Sequence, residues 1–552
     1  MSLQHVSIVF LALITPVATY SQSEEAASIE LPTLVLNTQE TANERSASTF
    51  ETPVSNLEFD PRIDLQSRNM AEAQGDITIR GGIFENTGIR LGSATLLDPQ
   101  TGHYFAELPI APEMLEPYQV FTGADNALYG FNSTIGTISY GWTAIETGGS
   151  ATLGAGDHDL NFQRFHHGQS VPLGDSGQWT LGVEADYSRS ESDGTLRFGD
   201  HDFYRSTGRV QLVGPASQTD FFAGYQEKFF GWPNMYTPFG VNETESLQTR
   251  LFLVNHRQTY AERSYFEATT YFRRNKDHYI YSRENPSVFE AKHRTDVSAL
   301  GFAGLHALDE RFALAYSGQL TADEIESTTL EAGDFRSRSY RKLSLVPEYR
   351  QPLGPDESLT IQAGASFFDT NRNSRAVSPI AAATWERRRL DGTGESLYLS
   401  YAGSSQVVGY TAIGGPLGGL FASNRELDTE TSRNLELGTT LHRNGWSLNA
   451  AVFYRWDEDL TDWTFKTSNT NARIANPVDL QTLGLELIGT RQWGAFEVIG
   501  SYAYLHKDED YGAADVDASF YALNFANHRM TLGGIWRPLD WIELRIDNEW
   551  RS

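Results

Sequence analysis

The sequence predicts an all-β transmembrane barrel, antiparallel, with a small N-terminal α/β domain plugging its lumen. Three observations lead there: strictly alternating segments, connections sorted by length, and a differently textured stretch ahead of them. The first is plain in QWTLGVEADYSRSESDG, residues 178–194. Trp179, Leu181, Val183, Ala185 and Tyr187 fall on one face of an extended chain, and Thr180, Gly182, Glu184, Asp186 and Ser188 on the other, because side chains alternate along a strand. A soluble barrel cannot expose Trp, Tyr and Leu without a large apolar patch, nor bury rows of unpaired Glu and Asp. Lipid outside and water inside removes both costs, so the polar face is the lumen.

The chain begins as an export signal. VSIVFLALITPVA (6–18) has the length of a signal-peptide apolar core and is followed by TYSQ, with small residues at Thr19 and Ser21. Only His5 precedes it as a possible positive charge. Residues 1–21 read as the signal peptide, and the polar residues 22–48 as a flexible segment. Residues 49–145 carry shorter apolar runs and more turns, as in DITIRGG (76–82), a short strand entering a glycine turn. This is the mixed α/β unit. A barrel of about twenty strands has a wide lumen that leaks unless plugged.

Residues 146–552 form the barrel. SLNAAVFYRW (447–456), LQTLGLELIGT (480–490), AFEVIGSYAYLH (495–506) and WIELRIDNEW (541–550) all alternate. Roughly nineteen such segments occur, many of about ten residues or longer, the length a tilted membrane strand needs. Short connections are GPASQ (214–218), YAERS (260–264), ALDER (307–311), RNG (443–445) and PLD (538–540). Long ones are 229–245, 276–290, 323–335, 404–430, 459–479 and 507–525. Turns at one end and loops at the other are expected of an outer-membrane barrel.

Composition agrees. No apolar run reaches the 18 or so residues of a spanning helix. A net charge of −28 argues against nucleic acid, whose phosphates require a basic surface. The absence of cysteine excludes disulfides, thiolate metal sites and a cysteine nucleophile. No Ser–His–Asp signature or glycine-rich phosphate loop stands out. His166 and His167 are adjacent, so on a strand they face opposite ways and cannot chelate together. The acidic Asp193, Asp200 and Asp202 lack the spacing of a calcium loop and read as solvated charge. We therefore expect no enzyme, metal site or cofactor.

IRGG, then LDPQTGHYFAELPI, then TGADNALYGFNSTIGTISY resemble, in that order, the plug domain of TonB-dependent outer-membrane receptors. NRELDTETSRNLELG (424–438), TLGLELIGT (482–490) and NFANHRMTLGGIWRP (524–538) resemble late barrel strands of the same family. The resemblance runs from about residue 30 to the C-terminus. LPTLVLNTQE is similar to a TonB box, placed at residues 31–38 and centred on Thr33, Leu34, Val35 and Leu36. Such a box needs an extended strand on a flexible tether, and its flanks are polar enough to supply one.

The resemblance implies roles for single residues. Arg80 of the IRG turn would pair with Glu436 of NLELG and Glu486 of GLELIG, holding plug to wall. A second family arginine would precede Gly123, where this chain has Thr122. Ligand contacts would come from plug tips, through Phe84, Asn86, Asp98, Gln100, His103 and Tyr104. An outer-loop cluster of Phe230, Trp232, Asn234, Tyr236 and Phe239 would add to them. Aromatic rings with a few polar groups suit a bulky, semi-rigid ligand.

The function expected is active uptake by a monomer in the outer-membrane lipid of a bacterium. TonB and its inner-membrane energising complex would be the partners, and a scarce nutrient the ligand. LDPQTGHYFAELPI and YQEKFFGWPNMYTPFGVNETE resemble the cobalamin-receptor branch, so a corrinoid comes first and a ferric siderophore second. A passive porin-like channel and an outer-membrane enzyme are the rivals from other classes. The family architecture implies twenty-two strands, so the chain is expected to lack about three at its C-terminus, with an open edge between 148–156 and Trp541–Trp550.

Overall fold

The computed structural model describes Ala42 and residues 48–552, apart from 69–71, 175–176, 262, 331–335, 390 and 467–468. The expected signal peptide and the expected TonB-box segment lie outside the described residues.

Alternation becomes a wall. Among the described residues, nineteen long strands run from Gly148–Ala155 to Ile542–Arg551, each antiparallel to the next. Two two-residue strands, Phe421–Ala422 and Ala518–Ser519, sit in outer loops. The faces sort as the sequence predicts. Val183 is 48% exposed while its neighbour Glu184 is 5%, and Leu437 is 51% exposed beside Glu436 at 2%. Trp179, Phe312, Trp446, Trp493 and Trp536 are exposed beside the short turns, forming an interfacial aromatic girdle.

The short turns fall where expected: one strand ends at Gly214 and the next starts at Ser217, and another ends at Arg443 with the next starting at Trp446. Two of the long connections differ from expectation. Residues 459–479 are not a loop but the top of a tall hairpin, Trp446–Lys466 against Asn469–Trp493. Its Asn, Asp, Thr and Pro content reads as loop, yet pairing on its flanks by Ala518–Ser519 and Phe421–Ala422 carries the ladder upward. A register shift between Asp457 and Leu460, with Asp459 at φ +58°, marks where the strand bends into this extension. Residues 229–245 likewise shrink, because strands Ser217–Pro233 and Asn242–Ala261 extend into them.

Strand order places Ile542–Arg551 beside Gly148–Ala155 and closes the barrel there. The open edge expected between 148–156 and Trp541–Trp550 is therefore not found, because the first and last wall strands are neighbours in one closed sheet.

Inside lies the α/β unit. Ile63–Arg68 pairs with Gln74–Ile79. A second, mixed sheet has Thr87–Leu91 between Ala94–Leu96 and a parallel Gly136–Tyr140, with Gln119–Thr122 at its edge and the helix Gly123–Tyr129 following. Ile79, Leu91 and Ile138 of the unit share one buried core with Phe222, Leu251, Val297 and Phe368 of the wall. Wall side chains also take up the free backbone groups of the unit. Thr269 accepts from Ser93 N at 2.8 Å, and Gln319 from Thr95 N at 2.8 Å.

Candidate functional site

Strand Gln74–Ile79 ends in a tight turn. Arg80 has φ +49° and Gly81 +64°. A left-handed arginine is uncommon, and here Arg80 N donates to Arg62 O at 2.7 Å while Gly82 N donates to Ile79 O at 2.8 Å. The turn sends the Arg80 side chain into the wall.

There it meets both predicted glutamates. Arg80 Nε donates to Glu486 Oε1 at 2.8 Å and Nη2 to Glu486 Oε2 at 2.7 Å, while Nη1 reaches Glu436 Oε2 at 2.5 Å. All three side chains are at most 8% exposed. Such a fork is geometrically specific in a way a lysine cannot copy. Burial opposes the charge on Arg80, but Glu436 and Glu486 outweigh it and hold its pKa well above the ordinary arginine value.

Sequence reasoning missed the groups that complete the fork. Tyr398 donates to Glu436 Oε1 at 2.8 Å, and Asn434 Nδ2 to Glu436 Oε2 at 3.2 Å. The Arg80 guanidinium lies 4.2 Å from the centre of the Phe453 ring, a cation–π contact. Arg455 Nη1 donates to Arg80 O at 3.3 Å. A signal for the two rings was present. Each glutamate has a glycine two positions away on the same strand face, Gly438 and Gly484. A Cβ on Gly438 would lie 2.3 Å from the Tyr398 ring, and one on Gly484 2.1 Å from Phe453. The glycines are the floor on which the rings lie.

Thr122 stands where the resemblance implies a second arginine. The next residue, Gly123, has φ +50°, and a Cβ there would come 2.8 Å from Asn434 Nδ2 and 3.4 Å from Glu436 Oε2. Gly123 therefore abuts Asn434 and the same carboxylate.

Most of the expected ligand contacts are occupied within the protein. Asp98 Oδ2 accepts from Arg273 Nη1 at 2.5 Å, Gln100 Nε2 donates to Asp277 Oδ2 at 2.9 Å, and Tyr104 OH to Glu245 Oε1 at 2.5 Å. Asn86 Nδ2 donates to Glu430 Oε2 at 2.7 Å. Phe230 is not on a loop: it lies in strand Ser217–Pro233, fully buried against Phe203, because the strand runs on past the expected boundary. Trp232 shares that strand and is half-buried on the same cluster.

The residues that remain near the mouth are aromatic. Phe84 is buried and stacks on His103 at 4.3 Å, with Tyr521 set edge-on at 4.7 Å. Tyr236, half-buried, lies 6.4 Å from His103 and donates to Gln74 Oε1 at 2.9 Å. Asn234 is exposed at φ +57°, its Oδ1 accepting from Gly240 N at 2.6 Å, and Phe239 is exposed beside it. Arg473 of the tall hairpin stacks on Phe520 at 4.3 Å and donates to Tyr236 O at 2.6 Å. That contact ties the hairpin to the loop at 234–241.

The chain is similar to known proteins in both sequence pattern and fold. Residues 116–551 match the family described as TonB dependent receptor-like, beta-barrel. No curated protein matches the chain in sequence. Among solved structures, the FrpB iron transporter from Neisseria meningitidis superposes with a TM-score of 0.70 at 14% identity, over 92% of this chain and 85% of that one. The copper transporter OprC gives 0.69 at 14% identity, over 91% and 84%. The siderophore receptor PirA from Pseudomonas aeruginosa gives 0.64 at 15% identity, over 90% and 86%. At these identities the likeness is one of fold.

Proposed function

The chain belongs to the TonB dependent receptor-like family, as a β-barrel of the bacterial outer membrane, and from that premise we propose that it is an active uptake receptor. A bulky ligand binds at the outer mouth, TonB captures residues 31–38 by strand addition, and the lumenal unit moves aside to release the ligand inward. The energy is that of the inner-membrane proton gradient, delivered through TonB.

The Arg80 fork carries this reading. The chain entering the unit from the N-terminal side forms strand Ile63–Arg68, whose first residue is opposite Ile79, the residue before Arg80. A pull from the N-terminal side, once the contacts of residues 48–62 with the wall give way, loads the pair Ile63–Ile79, next to the fork. A passive channel has no need of a lumenal unit anchored by a buried arginine, and an enzyme would need a catalytic constellation. Deleting residues 31–38 is expected to abolish uptake and leave surface binding intact; uptake that survives the deletion overturns the coupling.

The ligand we propose is a large metal chelate. The cobalamin-branch resemblance of residues 97–110 and 225–245 favours a corrinoid, while the siderophore receptor among the similar folds supports a ferric siderophore. The aromatic cluster of Phe84, His103, Tyr236 and Tyr521 suits either. Purified receptor incubated with a corrinoid and with several ferric siderophores separates them by which is retained.

A further inference from the structure

We infer that Glu113, His166 and Asp186 form a binding site for a Zn²⁺-class divalent cation between the lumenal unit and the wall. Glu113 lies in the 3-10 turn Pro112–Met114 of the unit. His166 and Asp186 are direct cross-strand partners on Asn161–Leu173 and Trp179–Ser192. Each of the three offers a ligand atom within 4.8 Å of the other two.

Each is satisfied on one side only. Asp186 Oδ1 accepts from Ser188 Oγ at 3.1 Å and from Arg205 Nη2 at 3.3 Å. Glu113 Oε1 accepts from Arg164, and His166 Nε2 faces Glu184 Oε2 at 3.6 Å. The remaining atoms, Asp186 Oδ2, Glu113 Oε2 and His166 Nδ1, are buried without a hydrogen-bond partner among the described residues. The Asp186 side chain is wholly buried, and a buried acceptor left unpaired is costly. One cation would satisfy the cluster.

Charge points the same way. Five carboxylates, Glu51, Glu113, Glu184, Asp186 and Asp220, share three guanidiniums, those of Arg164, Arg205 and Arg209. The carboxylates outnumber the guanidiniums, which favours a bound cation. An imidazole with two carboxylates is a nitrogen–oxygen donor set, which suits Zn²⁺, whereas Ca²⁺ and Mg²⁺ prefer oxygen throughout. Three protein ligands leave a fourth position for water. Because Glu113 belongs to the unit and the other two to the wall, a bound cation cross-links them, on a different arc of the wall from the Arg80 fork.

The test uses the full chain in detergent, stripped with a chelator, loaded with Zn²⁺ and desalted before its metal content is measured. Wild type and H167A, whose histidine pairs with Ala185 on the opposite face, are expected to retain about one Zn²⁺ per chain. H166A and D186N are expected to lose it. Equal retention by wild type and an H166A/D186N double variant, or none by wild type, overturns the site, and displacement by excess Ca²⁺ overturns its class. Should a variant fail to fold, the visible spectrum of Co²⁺-loaded wild type decides: a four-coordinate nitrogen–oxygen spectrum supports the site and a hexa-aquo spectrum overturns it.

Discussion

Arg80 and Glu486, 406 residues apart in sequence, meet through two hydrogen bonds of 2.8 and 2.7 Å in a buried corner of the lumen. The pair joins the moving part of the proposed receptor to its fixed part. Buried ion pairs contribute little net stability relative to apolar packing, but breaking one leaves an uncompensated charge. That asymmetry suits a joint that holds firmly at rest and gives way only under load.

Removing the arginine exposes this asymmetry. R80A leaves Glu436 and Glu486 buried without their cation and is expected to cost about 3–5 kcal/mol. R80K keeps the charge but loses the fork and is expected to fall between R80A and wild type. Denaturant midpoints and limited proteolysis of the lumenal unit measure both. An R80A protein as stable as wild type would show that the fork holds nothing.

The glycine floors give a second prediction. G484A drives a Cβ to 2.1 Å from the Phe453 ring, and G438A to 2.3 Å from Tyr398, so each is expected to destabilise by about 1–3 kcal/mol through overpacking. G534A, where an added Cβ meets nothing within 4 Å, is the control. Adding F453L to G484A is expected to recover part of the loss; a double variant worse than G484A would refute the steric account.

The lipid face is tested at Leu437, exposed beside buried Glu436. An L437R substitution near mid-strand is expected to cost roughly 2–4 kcal/mol in refolding into lipid vesicles. Refolding as efficient as wild type would mean that this face does not meet lipid.

Asp60 and Arg62 predict a pH dependence. Asp60 is fully buried; burial raises its carboxyl pKa, but Arg62, bonded at 2.9, 3.0 and 2.7 Å, outweighs that and holds it below the ordinary value. A depressed carboxyl contributes stability above its unfolded pKa of about 3.9, lost as pH falls through the folded value. Wild type is therefore expected to be more stable than D60N at neutral pH, with the gap closing below about pH 4. Denaturant midpoints from pH 2 to 7 read the gap directly, and a difference that stays constant or widens in acid would contradict it.

The sequence by itself determined which side of each strand is wet, where the tight turns fall, and that Arg80, Glu436 and Glu486 were worth pairing. The faces and turns rest on neighbours one or two residues apart, so Val183 and Glu184 declare them locally; the pairing rests on resemblance. Only the tertiary structure decided that 459–479 climbs as a hairpin, because its support comes from residues 421–422 and 518–519. It alone spent Asp98, Gln100 and Tyr104 on the wall, laid Tyr398 and Phe453 into the fork, and brought Glu113 to His166 and Asp186. Each of those contacts depends on how the strands stagger as the sheet curls, and on the depth at which the inner unit sits. Both are set by the whole ladder at once, and no short stretch of chain encodes them.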